Sequence, residues 1–181
     1  MLETLRRVVT GHNAEHRSVV WLDGPPGNIL EVGGHGVGEI WACGCEHPSL
    51  AGDSDPAKAP IRLEPQPGDA KFRYFIVPPE CRDLSPAQKA EAEAFQAAAF
   101  ASIGAEHCRV DTGRHSAMHK TETLDFIVVV RGPVSLLLDE GEVDLEAGDV
   151  VVQRATNHGW VNRGSDTALL VGVLIDARNV P

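Results

Sequence analysis

From Cys108 onward the sequence is a succession of short apolar runs, each closed by a turn and with no helical stretch between them. Phe126-Ile127-Val128-Val129-Val130 reads as a fully buried strand and Val134 to Leu138 as a second, with Asp139-Glu140-Gly141 as a hairpin turn. Val143 and Leu145 alternate with acids, Gly148-Asp149 turns the chain again, Val150-Val151-Val152 follows, and Leu169 to Ile175 ends the series. Many short strands at close spacing, without alternating helices, predict an antiparallel barrel or sandwich and argue against a parallel α/β sheet.

The first half continues this texture with additions. Short apolar runs between Arg6 and Trp41, such as Ser18 to Leu22, are separated by Gly, Pro and Asn clusters and read as strands joined by turns. Gly33 to Gly38 is a flexible turn, since its spacing is wrong for a phosphate loop and no helix follows it. Glu46 to Asp69 has no periodicity and predicts a mobile surface loop that could serve as a lid. Lys71 to Val77 is aromatic and β-branched, and Pro78-Pro79 stops it. One helix follows: Ser85 caps it, Pro86 suits its first turn, Gln88 completes a capping box and Gly104 ends it. Phe95, Ala99 and Ile103 share a face, so the helix is expected to pack on the outside of a sheet.

At 181 residues the chain suits a single domain, 1–181, with 1–105 as N-terminal strands, loop and helix and 108–177 as the barrel. A net charge of -10 repels phosphate backbones and anionic lipid, so neither nucleic acid nor membrane is an expected partner. Arg6 and Arg7 are followed by no apolar segment of the kind a secretory signal needs, and a cytoplasmic location is expected. The four cysteines are then free thiols. Cys43, Cys45 and His47 lack the paired spacing of a structural zinc site.

His115, His119, Asp125 and His158 are the tight grouping of imidazoles and carboxylate in the barrel half. Two imidazoles and one carboxylate can occupy one face of an octahedron and leave the opposite positions open, which is a catalytic layout for a divalent metal. His158, Trp160 and Asn162 share a strand face if the segment is extended.

These residues resemble the cupin family. In its first motif a glycine, five residues, His-x-His, a glutamate and a closing glycine follow in order. Here Gly113, His119, Thr121, Asp125 and Gly132 hold those places, with Thr121 at the second histidine and Asp125 at the glutamate. Its second motif runs from a Gly-Asp turn to a histidine and an asparagine. Gly148-Asp149, His158 and Asn162 match it, with Gln153 and Ala155 at its proline and glycine. The resemblance covers Cys108 to Ala177 and implies a mostly β fold, a double-stranded β-helix or jelly-roll barrel with extra N-terminal strands and one helix.

It also implies one divalent ion, of iron, manganese, zinc or nickel, on His119, Asp125 and His158. Thr121 could hold a metal-bound water or face the core, and the shorter Asp125 must approach the metal closely or reach it through water. His115 reads as a rim residue, a proton shuttle or without a role. Gln153, Arg154, Thr121 and Trp160 are candidate pocket residues, with Trp160 a flat wall or plain core and Arg154 or Arg114 a clamp for a carboxylate. The expected activity is a metal-dependent dioxygenase or decarboxylase acting on a small organic acid or aromatic compound. The alternatives are a non-catalytic binding barrel and a sugar isomerase or epimerase, the last needing a histidine base and the single tyrosine, Tyr74. Strands before such barrels commonly cross to a second subunit, and a homodimer is expected to cover the edges of Arg6 to Leu22.

Overall fold

The structure, a computed structural model, describes residues 1–50, 52–81 and 83–178. Its strands are β1 (Arg7–His12), β2 (Ser18–Gly24), β3 (Asn28–Val32), β4 (His35–Gly44), β5 (Asp69–Val77), β6 (Thr123–Arg131), β7 (Val134–Leu138), β8 (Glu142–Leu145), β9 (Val150–Arg154), β10 (His158–Val161) and β11 (Ala168–Asp176). The helix α1 (Pro86–Ser102) separates β5 from β6. The fold is mostly β, as expected, and every strand ladder is antiparallel.

Six strands in the order β3-β4-β5-β11-β6-β9 form the large sheet, β10-β7-β8 a smaller one, and β1-β2 a separate hairpin. The N-terminal strands thus extend the barrel's own sheet, because β11 pairs with β5 on one edge and β6 on the other. Between the two sheets Val77, Ile127, Val129, Val134, Leu136, Leu145, Trp160 and Leu170 make the main core. Each fully buried aliphatic side chain contributes roughly 1.5–3 kcal/mol. Buried Asn162 ties the core's end together: its Nδ2 donates to Val77 O and Asp166 O, and its Oδ1 accepts from Gly164 N.

Three expectations need correction. The run Phe126 to Val130 is not fully buried: Ile127 and Val129 point into the core, while Phe126, Val128 and Val130 stand exposed on the outer face. A continuous apolar run hides this two-residue alternation. Val150 and Val152 of β9 are exposed on the same sheet.

The segment Glu46 to Asp69 is anchored, not simply a surface loop. The Arg7 guanidinium pairs with Asp55 where both side chains are over nine-tenths buried, and it also donates to Ile40 O at 2.9 Å and Pro25 O at 3.0 Å. Ala57 and Ile61 are buried beside it.

The helix also does more than pack outside a sheet. Its capping box forms as the sequence predicts, worth about 1 kcal/mol. Phe95 lies over the β3–β4 turn at Gly33, where φ is +58° and an added Cβ would lie 2.3 Å from the ring. Phe100 is carried into the barrel mouth. Removing one member of the buried Arg7–Asp55 pair leaves the other charge uncompensated, so Asp55→Ala is expected to cost about 3–5 kcal/mol in urea unfolding, with Asp55→Asn costing less.

Candidate functional site

The barrel holds a partly open cavity of about 180 Å³. Val37, Phe75, Val77, Phe100, Ile127, Trp160 and Leu174 give it an apolar wall, and His35, Arg73, Gln96, His119, Thr121, Asp125 and His158 supply its polar groups. This is enough space for one small organic molecule: an engineered cavity of about 150 Å³ accepts benzene.

His119 and His158 are placed by the backbone. They form an antiparallel bridge in which each N–H donates to the other's carbonyl at 2.8 Å, which puts both side chains on one sheet face. Their rings lie 4.4 Å apart between centroids. Each Nδ1 is 2.9 Å from the carbonyl two residues upstream, Ala117 O and Thr156 O respectively. A carbonyl only accepts, so Nδ1 carries the proton and the lone pair is left on Nε2, the tautomer that ligates a metal. Burial, with the neighbouring His158 adding to it, pushes His119 down to about 3; burial also lowers His158. Both imidazoles are therefore neutral near pH 7.

Asp125 enters from β6 and is 3% exposed, with Oδ1 buried and without a hydrogen-bond partner. Burial pushes its carboxyl up to about 6, against the opposing effects of Thr123 and Arg73. A carboxylate and two neutral imidazoles lining one cavity are the ligand types that suit a divalent cation. The ligand atoms of the three side chains do not all lie within 4.8 Å of one another; among the described residues only Glu64, His107 and Cys108 meet that distance.

Other predicted residues divide between the cavity and its surroundings. Thr121 is buried on the cavity wall with its hydroxyl 2.7 Å from Thr123 Oγ1. Trp160 belongs both to the main core and to the cavity wall. His115 stays off the wall and pairs with Glu80 at 2.5 Å.

Gln153 does not line the cavity: it is buried but bonds Thr156, which closes the β9–β10 turn. Neither arginine considered as a clamp reaches the cavity. Arg154 is exposed on β9, and Arg114 binds Leu138 O, Gly141 O and Glu142 at the surface. Tyr74 packs with Leu2, Ile76 and Leu169 and is not on the cavity wall.

The cavity's arginine is Arg73 of β5, which sequence reading passed over. The available signal was a charged residue in the middle of an aromatic and β-branched run, paired in register with the equally buried Glu39 of β4. Sequence reading also missed the Glu64, His107 and Cys108 group outside the cavity. His107 Nε2 lies 2.9 Å from Glu64 Oε2 and 3.5 Å from Cys108 Sγ, and burial, then Glu64, raises the Cys108 thiol to about 11. No spacing rule joins a glutamate to a His-Cys pair 43 residues away.

The family model described as a cupin domain matches residues 106–174, the stretch that supplies β6 to β10, most of β11, both histidines and Asp125. This segment is a cupin domain. Among curated relatives, the "Phomopsin biosynthesis cluster protein C'" of Diaporthe leptostromiformis is 47% identical over 74 residues, 39% of this chain and 39% of its own. A "Cupin-domain-containing oxidoreductase" of Neurospora crassa is 40% identical over 72 residues, 38% of this chain and 37% of its own. The chain therefore matches about two fifths of the length of these relatives. A solved cupin 2 conserved barrel domain protein from Salinispora arenicola aligns over 83% of this chain and 82% of its own, at 14% identity and a TM-score of 0.41. No helix among the described residues is long and apolar enough to cross a membrane.

The raised Asp125 carboxyl gives a testable pH dependence for the protein. Since the folded state holds this proton more tightly than the unfolded chain, its contribution to stability is present below about pH 4 and is lost as pH rises toward about 6. Asp125→Asn is expected to be the more stable protein at pH 7, by about 1–3 kcal/mol. In urea titrations the difference from wild type should shrink as pH falls to 4.

Proposed function

We propose that this cupin is a metal-dependent enzyme acting on a small organic acid or aromatic compound, of dioxygenase or decarboxylase type. The observation that carries the reading is the pair of cavity-lining imidazoles with Nδ1 committed to backbone carbonyls, on the same cavity as Asp125, whose buried Oδ1 has no hydrogen-bond partner. His119 and His158 would hold a divalent ion through Nε2, with Asp125 as the third donor, directly or through water. The ion, of iron, manganese, zinc or nickel, supplies a Lewis acid or an oxygen-activating centre.

The chain's own residues do the remaining work. Phe75, Phe100 and Trp160 exclude water and hold a flat apolar body against the imidazoles. Thr121 keeps its hydroxyl on Thr123 and contributes wall, not charge. The oxidoreductase name of the Neurospora relative is in keeping with oxygen chemistry.

A sugar isomerase or epimerase is less well supported, since Tyr74 is not on the cavity wall to act as the acid. A barrel that binds without transforming remains the competing reading. Elemental analysis of freshly purified protein is expected to find near-stoichiometric divalent metal that falls at least tenfold in His119→Ala and in His158→Ala. Protein without metal, and without uptake of added iron, manganese, nickel or zinc, would instead support the binding barrel.

We further propose that the working form is a soluble cytoplasmic homodimer. The exposed Phe126, Val128, Val130, Val150 and Val152 on one sheet face, and the exposed Val8, Val19 and Val20 on the β1-β2 hairpin, are apolar surface that a second copy would cover. Sedimentation at micromolar concentration is expected to give twice the chain mass, and a monomer would overturn it.

A further inference from the structure

Outside the cavity, Glu64, His107 and Cys108 bring a carboxylate oxygen, an imidazole nitrogen and a sulfur within 4.8 Å of one another. His107 Nε2 is common to both close contacts, 2.9 Å from Glu64 Oε2 and 3.5 Å from Cys108 Sγ. A ring nitrogen carries at most one proton. It can donate to the carboxylate or accept from the thiol, but not both, so lone pairs from three side chains converge where a single proton serves them incompletely.

Sulfur, imidazole nitrogen and carboxylate oxygen together are ligands of zinc. At the tetrahedral angle, bonds of about 2.3 Å to sulfur and about 2.0 Å to nitrogen set those two atoms about 3.5 Å apart. That is the spacing found between Cys108 and His107. The Glu64 edge is at hydrogen-bond length and would open by about half an ångström to admit the ion.

The surroundings hold each ligand in place. The other Glu64 oxygen, Oε1, accepts from Glu122 N at 3.2 Å, leaving Oε2 for the ring. Cys108 is fixed by its main chain: its N–H donates to Ala105 O at 3.0 Å and its carbonyl accepts from Lys120 N at 2.8 Å. It packs with Phe100 and Ala105, so the sulfur belongs to the closed inner side of the group. The His107 side chain is 66% exposed, which leaves the outer side open as the way in for an ion and for a water as fourth ligand.

We propose that Glu64, His107 and Cys108 form a zinc site separate from the donors in the barrel. On binding, the Cys108 thiol gives its proton to solvent and a zinc–sulfur bond takes its place. The ring keeps one proton, now on Nδ1, so that the Nε2 lone pair meets the ion. The ion would join the segment before β5 to the turn at Glu106–Cys108, and through Cys108 would brace Phe100 of the cavity wall. No ligand is shared with His119, Asp125 or His158, and the site does not rest on the barrel's being an enzyme. With one position open to solvent, its ion exchanges with the medium and is loaded by titration, apart from any metal held in the barrel.

The test is titration of EDTA-treated protein with cobalt(II), which stands in for zinc and gives a near-ultraviolet charge-transfer band when a thiolate ligates it. Wild type is expected to develop this band. The His119→Ala/His158→Ala double variant, which lacks the barrel's imidazoles, should keep it at full intensity, saturating at one cobalt per chain, and added zinc should displace it. Cys108→Ser should lose the band. His107→Ala and Glu64→Gln should each weaken cobalt binding roughly tenfold or more, while Cys43→Ser/Cys45→Ser, which removes two other thiols, should leave it unchanged.

No band in wild type, a band that zinc does not displace, a band that survives in folded Cys108→Ser, or a band lost with Cys43 and Cys45 would each overturn the proposal. A band that requires His119 and His158 would place the metal in the barrel and equally overturn it. Should Cys108→Ser fail to fold, the exposed His107 decides: with circular dichroism verifying the fold of His107→Ala, unchanged cobalt affinity there overturns the site, as it does in Glu64→Gln.

Discussion

Strand β11 is hydrogen-bonded along both edges, and the rest of the site depends on that double pairing. One edge takes β5 and the other β6, so two segments about fifty residues apart in the chain are fixed on either side of a single strand. The register sets Arg73 opposite Gly172 and Asp125 opposite Leu174. A one-residue slip of either neighbour would turn its charged side chain to the outer face, since side chains alternate with a period of two. The same ladder also positions Phe75 and Ile127, so the apolar wall and the ionisable groups come from one set of backbone hydrogen bonds.

Much of the fold was legible because its signals are local. Turn residues separate the strands, and the Ser85, Pro86 and Gln88 signature starts the helix where the structure starts it. Asymmetry between the faces of β6 was not legible, because Phe126 to Val130 is apolar at every position and the pattern holds no mark of which face meets water. Arg7 and Asp55 likewise join across 48 residues, so nothing in the composition of Glu46 to Asp69 reveals that it is pinned.

The site was legible in its histidines and carboxylate and illegible in its arginine. His119, Asp125 and His158 stood out through motif spacing, and all three line the cavity. The clamp was sought near those motifs, at Arg114 and Arg154, because sequence proximity was the available guide. Arg73 reaches the cavity from the other half of the chain, through a ladder that motif spacing does not encode. The carboxylate and the guanidinium both come from residues that line the cavity, and each has a buried polar atom without a hydrogen-bond partner.

Both cavity-lining imidazoles are oriented by main-chain carbonyls, those of Ala117 and Thr156, and not by a carboxylate or amide side chain. An orienting group that belongs to the peptide backbone is present whatever residue occupies the position. Mutational drift at 117 and 156 can therefore reshape the surroundings while leaving each ring's proton on the same nitrogen. The side chains of the cavity wall are thus free to diverge while each ring keeps its lone pair on Nε2, so one backbone can surround the same two imidazoles with many different linings.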